Sequence, residues 1–317
     1  MTGGVRLHAK SVAYAATTLG ASFINPVFTF YYVKVYLNRF HVSEPWFDLA
    51  QVVFMIWNAV NDPLFGCLQD YARSKSLILT RRRHSILYGA PLFVTAFILP
   101  WFPWSNYESS ERTWLAGIQL TVVLCFYDAM FTYVLLAHGA LLAELSTNQA
   151  DRVRMVQYGQ AAGLFGSVSV LVCETTSSGL QHYGRFQMTC IGLGLAAGAC
   201  FVYTGLKADT QFDRSVEPAG ENKPLERYDG VLAVLRQTRQ ICEQRSFVSF
   251  VLVNFCQTCH VTFLANFTNI IGNHLLGTGL SSVAKNVLYG SLFVIPRVRF
   301  MFLVITKLIV SYMRLVT

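Results

Sequence analysis

The sequence predicts an all-α polytopic membrane protein, and three observations carry that expectation. Of its 317 residues, 53% are apolar and 13% are charged, where a soluble domain carries about a quarter charged residues. The apolar residues fall into blocks of about twenty, the length a helix needs to cross the hydrocarbon core. The Lys and Arg residues gather between alternate blocks, as the loops on one side of a membrane do.

The spans follow in order. The first covers about 11–36 and carries Asn25-Pro26 near its middle, where proline unpairs a backbone carbonyl and kinks the helix. It is too long for a cleaved signal and has no small-residue cleavage site, so it stays as a span. The second covers about 46–66. The third covers about 85–104 and ends in Pro100-Trp101-Phe102-Pro103-Trp104, which reads as an aromatic interface belt. The fourth, fifth and sixth cover about 113–137, 155–176 and 186–206. A polar segment over 207–245 contains Pro218, Gly220 and Pro224 and reads as a linker, with a short surface helix from about Leu225. A seventh span covers about 246–271 and a weaker eighth about 283–309.

Arg73, Lys75, Arg81, Arg82 and Arg83 follow span two, Arg152 and Arg154 follow span four, and seven Lys and Arg residues from Lys207 to Arg245 follow span six. Only Arg112 and Arg185 lie in the loops after spans three and five. Even-numbered spans are therefore expected to end in the cytosol, with the N-terminus cytosolic too. The net charge of +8 belongs to that membrane face and not to a nucleic-acid surface. Six spans, a cytosolic linker and further spans are the layout of a carrier with two six-helix halves. The expected organisation is 1–206 as the first half, 207–245 as the linker and 246–317 as the start of a second half. Arg297, Arg299, Lys307 and Arg314 interrupt the last apolar run, so the second half reads as shortened at its C-terminus.

Ionisable groups inside a bilayer are costly and therefore candidates for function. Asp62 lies in the cytosolic third of span two and Asp128 near the middle of span four. Asn58 precedes Asp62 by four residues and shares its helix face, so the two offer oxygens to a cation or a polar solute. Pro63 frees the carbonyl of Ala59, a further acceptor. Ser22 lies one turn before Pro26 and is expected on the same cavity. Gly66, Asp70 and Arg73 leave the cytosolic end of span two and read as a gate or as a capped helix end. His138 and Glu144 close span four, and Glu144 is expected to join Asp151, Arg152 and Arg154 in salt bridges between helices.

Small residues recur at spacing four, Gly159 with Gly163 and Gly194 with Gly198, which reads as close helix packing. The eight Cys residues lie mostly in apolar blocks, where Cys acts as a small hydrophobe, and no disulfide framework is expected. Cys256, Cys259 and His260 spell a haem-attachment pattern inside an apolar block, which we read as chance. The sequon at Asn266 lies too near the bilayer for easy glycosylation. No nucleophile with its base, no phosphate loop and no metal-ligand spacing is present, so neither an enzyme nor a cofactor or metal is expected.

The run Ile56-Trp57-Asn58-Ala59-Val60-Asn61-Asp62-Pro63-Leu64-Phe65-Gly66, continuing to Asp70 and Arg73, resembles a signature of the glycoside–pentoside–hexuronide:cation symporters. These are the melibiose-permease-like branch of the major facilitator superfamily. Ala140-Leu141-Leu142-Ala143-Glu144-Leu145-Ser146, with Asp151 and Arg152-Val153-Arg154, resembles that family's second signature after span four. The resemblance implies a twelve-helix fold with a central cavity and alternating access. It implies sugars as common substrates, lysolipids in animal branches, and sodium or protons as coupling ions. It also implies a cation site of two acids on span two and one on span four. Asp62 matches the second span-two acid, Asn58 stands at the first, Leu135 at the span-four position and Ser22 at the sugar-binding acid of span one. Asp62 alone suits a proton and makes a poor sodium cage. The expectation is a carrier of a small organic solute in the plasma membrane, with weak or absent sodium coupling. The rival expectation is a receptor or regulatory protein on the same scaffold, or an inactive shortened form.

Overall fold

The computed structural model describes residues 2–72, 82–105, 107, 113–178, 180–210, 240 and 243–275. Among them the structure is helical, with no strand. The chain divides into two compact units, Met1–Val216 and Glu217–Thr317.

In the first unit, α1 spans Thr2–Lys34 and runs on into a π-helical turn, Val35–Arg39. α2 spans Glu44–Ala72, and α3 spans Arg82–Ile98 with a final 3-10 turn, Leu99–Trp101. α4 spans Thr113–Leu145, α5 Gln149–Ser167, α6 Ser169–Ser177 and α7 Tyr183–Lys207. In the second unit, α8 spans Arg245–Leu275. The predicted seventh span lies on α8, whereas the predicted eighth lies outside the described residues, as do 211–239 of the predicted linker. By length and apolar composition, four stretches of the described residues can cross a membrane: Arg82–Trp101, Trp114–Leu145, Gln149–Ser177 and Tyr183–Lys207.

α4 continues eight residues past the expected end of span four, because Gly139 is followed by Ala140-Leu141-Leu142-Ala143-Glu144-Leu145, a run of strong helix formers. His138 therefore lies inside the span. The fifth span is a single continuous stretch in the sequence reading, but the structure breaks it at Val168 into α5 and α6. Ser167 turns its hydroxyl back to the Leu164 carbonyl at 2.7 Å, a local bond that competes with the helical ladder.

α1 packs on α5 and α7, α3 on α7 and α4, and α2 on α4, with α6 against α7 and α1. Lipid tails are as apolar as leucine, so these contacts rest on close packing and internal polar bonds. The glycines show where backbones approach. A Cβ on Gly20 would lie 2.9 Å from the Phe201 ring, and one on Gly166 would lie 2.3 Å from the Ser22 Cβ. Gly163 faces Ser22, Gly159 faces Thr18, and Gly194 and Gly198 face Ile98 and Val94. Thr17 donates to Thr204 at 2.9 Å, and Thr204 donates to the Ala13 carbonyl at 2.7 Å, which closes the α1–α7 seam.

An aromatic core fills the space between α1, α3, α4 and α7. Phe28 stacks on Tyr127 with centroids 3.6 Å apart, Phe93 on Phe201 at 5.4 Å, and Trp101 meets Phe186 at 5.1 Å. Trp101 is fully buried, while Trp104 is 47% exposed. Only Trp104 of the pair therefore fits the expected interface belt. The Trp101 carbonyl accepts from Tyr183 at 2.6 Å and Gln187 at 2.8 Å, so the turn that ends α3 is anchored to α7. In the following loop, burial pushes the Tyr107 phenol up, and its hydroxyl donates to Gln119 of α4.

Candidate functional site

The polar residues buried between α2 and α4 form one continuous network. Asn61 of α2 is fully buried, and Asp128 and Thr132 of α4, one turn apart, are 9% and 7% exposed. The Asn61 amide donates to Asp128 at 2.8 Å and to Thr132 at 3.1 Å. Thr132 in turn donates to Asp62 at 3.0 Å. The Asp62 side chain is on the exposed flank of α2. A neutral amide and a hydroxyl thus join two carboxylates, one exposed and one buried. Such a chain lets a charge or proton at Asp62 be felt at Asp128. The Asn61 carbonyl oxygen is buried without a hydrogen-bond partner, which leaves one acceptor unspent.

Of the residues expected at the site, Asp62 and Asp128 are brought together. Asn58 is exposed one turn from Asp62 on the same flank of α2. Ser22 is elsewhere: it packs against Gly163 and Gly166 on the α1–α5 seam. Its register on α1 points it at α5 because Tyr14, Thr18 and Ser22, four residues apart, make one stripe. Span one's own contribution near the site is Asn25, whose side-chain oxygen accepts from the Tyr127 hydroxyl at 3.4 Å. Asn61 and Thr132 are not apparent in the sequence, because a neutral amide and a hydroxyl are ordinary in membrane helices. Their only signal is position, next to Asp62 and one turn after Asp128.

A further carboxylate lies in an apolar stretch of the first unit. Glu174 of α6 accepts from the Tyr31 hydroxyl of α1 at 2.6 Å. Its sequence signal is the same as that of Asp62, an acid in an apolar block. It is masked by the Thr and Ser residues that follow and make it look like a helix end.

At the expected gate, Gly66 is half-buried, and nothing lies within 4 Å of a Cβ placed on it. The Asp70 side chain and all of Arg73 lie outside the described residues. Glu144 faces Arg82 of α3 at 3.9 Å, a partner that the sequence reading assigned only to topogenic charge. Arg82 also donates to Gln69 at 2.9 Å, and Gln69 donates to the Tyr133 carbonyl at 2.7 Å. α2, α3 and α4 are thereby tied at one end. Arg152 lies in the first turn of α5. It donates to the carbonyls of Ser146 at 2.8 Å and Ala143 at 3.2 Å, which caps the C-terminus of α4 with a cation. Asp151 accepts from Ser146 at 3.3 Å.

The sequence profile of the MFS/sugar transport protein family matches residues 13–306. The chain is similar to transmembrane protein 180 of Gallus gallus, 28% identical over 306 residues that cover 90% of this chain and 58% of that protein. Transmembrane protein 180 of Mus musculus is 27% identical over 311 residues, with the same 90% and 58% coverage. A protein of Synechocystis sp. described as an uncharacterized symporter is 24% identical over 200 residues, 61% of this chain and 36% of its own. The chain spans a little over half the length of the two transmembrane protein 180 relatives, 58% in each case.

Proposed function

The chain belongs to the MFS/sugar transport protein family, and from that premise we propose that it carries a small organic solute, sugar-like or lipid-like, across a membrane by alternating access. One observation carries the reading: two carboxylates on neighbouring helices, Asp62 and Asp128, joined through Thr132 and Asn61. Buried polar networks in apolar surroundings are expensive unless satisfied, and membrane ionisable groups mark solute and ion pathways. Asp62 is the exposed member and serves as the protonatable, solute-facing group. Asn58 lies on its flank, and Asp128 is its buried partner. The coupling ion in this reading is a proton and not sodium, because a single exposed carboxylate falls short of the six or so oxygens a hard cation collects.

The organisation that goes with this reading is a first six-span half over 1–206, a cytosolic linker over 207–245 and a second half beginning at 246. The N-terminus is cytosolic and the protein sits in the plasma membrane. Glu144, Arg82 and Arg152 close the cytosolic mouth.

Ligand-dependent thermal stability of the purified chain tests the reading. Sugars and lysolipids are presented with and without sodium, at two pH values, beside Asp62→Asn. The expected result is a solute that stabilises the native chain and not the variant, with the shift depending on pH and not on sodium. A second reading, a receptor or regulatory protein on a carrier scaffold, is favoured by Asn58 standing where the symporter signature has an acid. No shift with any solute, in a chain shown to be folded, would transfer the assignment to that reading.

A further inference from the structure

α4 carries a second polar site that faces away from α2. His138 is 7% exposed. Its ring stacks on Tyr14 of α1 with centroids 4.1 Å apart and planes 20° apart. Its Nε2 lies 3.2 Å from the hydroxyl oxygen of Thr18. Thr132 and His138 are six residues apart, about 240° around the helix, so the carboxylate network and the imidazole look toward different neighbours. α5 supplies the third wall: a Cβ on Gly159 would lie 3.3 Å from the Thr18 hydroxyl and 3.8 Å from the Tyr14 ring. The imidazole thus sits where three helices meet.

A histidine that merely fills such a joint uses both ring nitrogens. Here Nδ1 is buried and has no hydrogen-bond partner. Either tautomer leaves the deficit: with Nε2 accepting from Thr18, the Nδ1 proton has no acceptor, and with Nε2–H donating, the Nδ1 lone pair has no donor. Among the described side chains, the charged and titratable groups nearest His138 along these elements are Lys10 and Tyr14 on α1, Tyr133 and Glu144 on α4, and Asp151, Arg152, Arg154 and Tyr158 on α5, with Asp128 ten residues before it on α4. Lys10 donates to the Leu145 carbonyl at 3.3 Å, Glu144 faces Arg82, and Asp151 and Arg152 bond to Ser146. Among the described residues, therefore, no carboxylate holds the imidazole as one half of a structural ion pair.

We propose that His138 is a proton-binding site of this carrier. In the closed joint the ring is neutral, with Nε2–H donating to Thr18. When α1 parts from α4 and α5, water reaches Nδ1 and delivers a proton to it, and the proton returns to water when the joint closes. An apolar joint cannot hold the cation unpaired, so protonation and parting favour each other, and acidification raises the parted population by linkage. The site involves neither Asp62 nor a solute, so its failure and the failure of the carboxylate reading are separately visible.

The test is nitrogen NMR of the full chain in lipid nanodiscs, with the histidine rings labelled, from about pH 8 to about pH 4, a range that reaches below the ordinary imidazole value because burial disfavours the cation. His138→Gln identifies the signal, and Thr18→Val removes the hydrogen-bond partner of the ring. The expected result is one neutral tautomer at high pH that becomes imidazolium within the range. Its midpoint should fall by about one unit in Thr18→Val, because the imidazolium Nε2–H loses its acceptor. A His138 ring neutral across the whole range would overturn the proposal. So would a midpoint that ignores Thr18→Val. If His138→Gln fails to fold, replacing the other six histidines by Gln leaves His138 as the single labelled ring.

Discussion

At the scale of single residues, the α2–α4 network turns on Asn61. Its amide is the donor for Asp128 and Thr132. Replacing it by alanine leaves a buried carboxylate short of a donor, a loss of about 1–3 kcal/mol. Asp128→Asn keeps an oxygen for the same amide and should be nearly neutral in stability. Thermal melts of both variants in detergent decide the point: Asn61→Ala should melt clearly below the native chain, and equal melting would show that the network does not bear on stability. The two aspartates were legible in the sequence because a charge stands out in an apolar run. Asn61 and Thr132 were not, because neutral polar residues are tolerated in membranes whether or not they connect anything. Glu174 was legible by the same rule as Asp62 but lies beside a Thr and Ser cluster that resembles the end of a span.

At the scale of elements, the glycines of α5 decide how α1 is seated. A Cβ on Gly166 would lie 2.3 Å from the Ser22 Cβ and 2.9 Å from its backbone carbon. Gly166→Ala should therefore push the seam apart at a cost of about 1–3 kcal/mol. Ser22→Gly in the same chain removes the nearer atom and should recover part of the loss, leaving the backbone contact as the remainder. A double-mutant cycle read by thermal melting measures the coupling. Additive losses would mean that the two residues do not oppose each other. The spacing of Gly159 and Gly163 announced a close approach in the sequence. The partner helix, and Gly166 as its tightest point, came from the fold, since a small residue says that something can come near and not what does. The break at Val168 was likewise invisible. Glycine and serine are common in membrane helices, and a sequence does not show which serine turns its hydroxyl back on the helical ladder, as Ser167 does here.

At the scale of the whole molecule, orientation is the expectation most exposed to test. Lys and Arg load the loops after the even-numbered spans, so Ser105 is expected outside the cytosol and Thr147 within it. A membrane-impermeant thiol reagent applied to intact cells should label Ser105→Cys above the native background and reach Thr147→Cys only after permeabilisation. The opposite pattern would reverse the topology. α2 presents an exposed flank of Leu49, Val52, Ile56, Val60 and Leu64 beside Asn58 and Asp62. Composition, block length and the run from Asn58 to Gly66 were enough to establish an all-α membrane chain of the family to which it belongs. These are properties of segments, set by what each stretch costs in lipid or water, and a segment carries that cost wherever it is placed. Which polar residue meets which was settled by the tertiary structure alone. Asn61 reaches Asp128, Arg82 faces Glu144, Tyr31 bonds Glu174 and His138 stacks on Tyr14 because helix register and close backbone approach bring them together. Those pairings depend on angular position and helix spacing, which no single segment encodes.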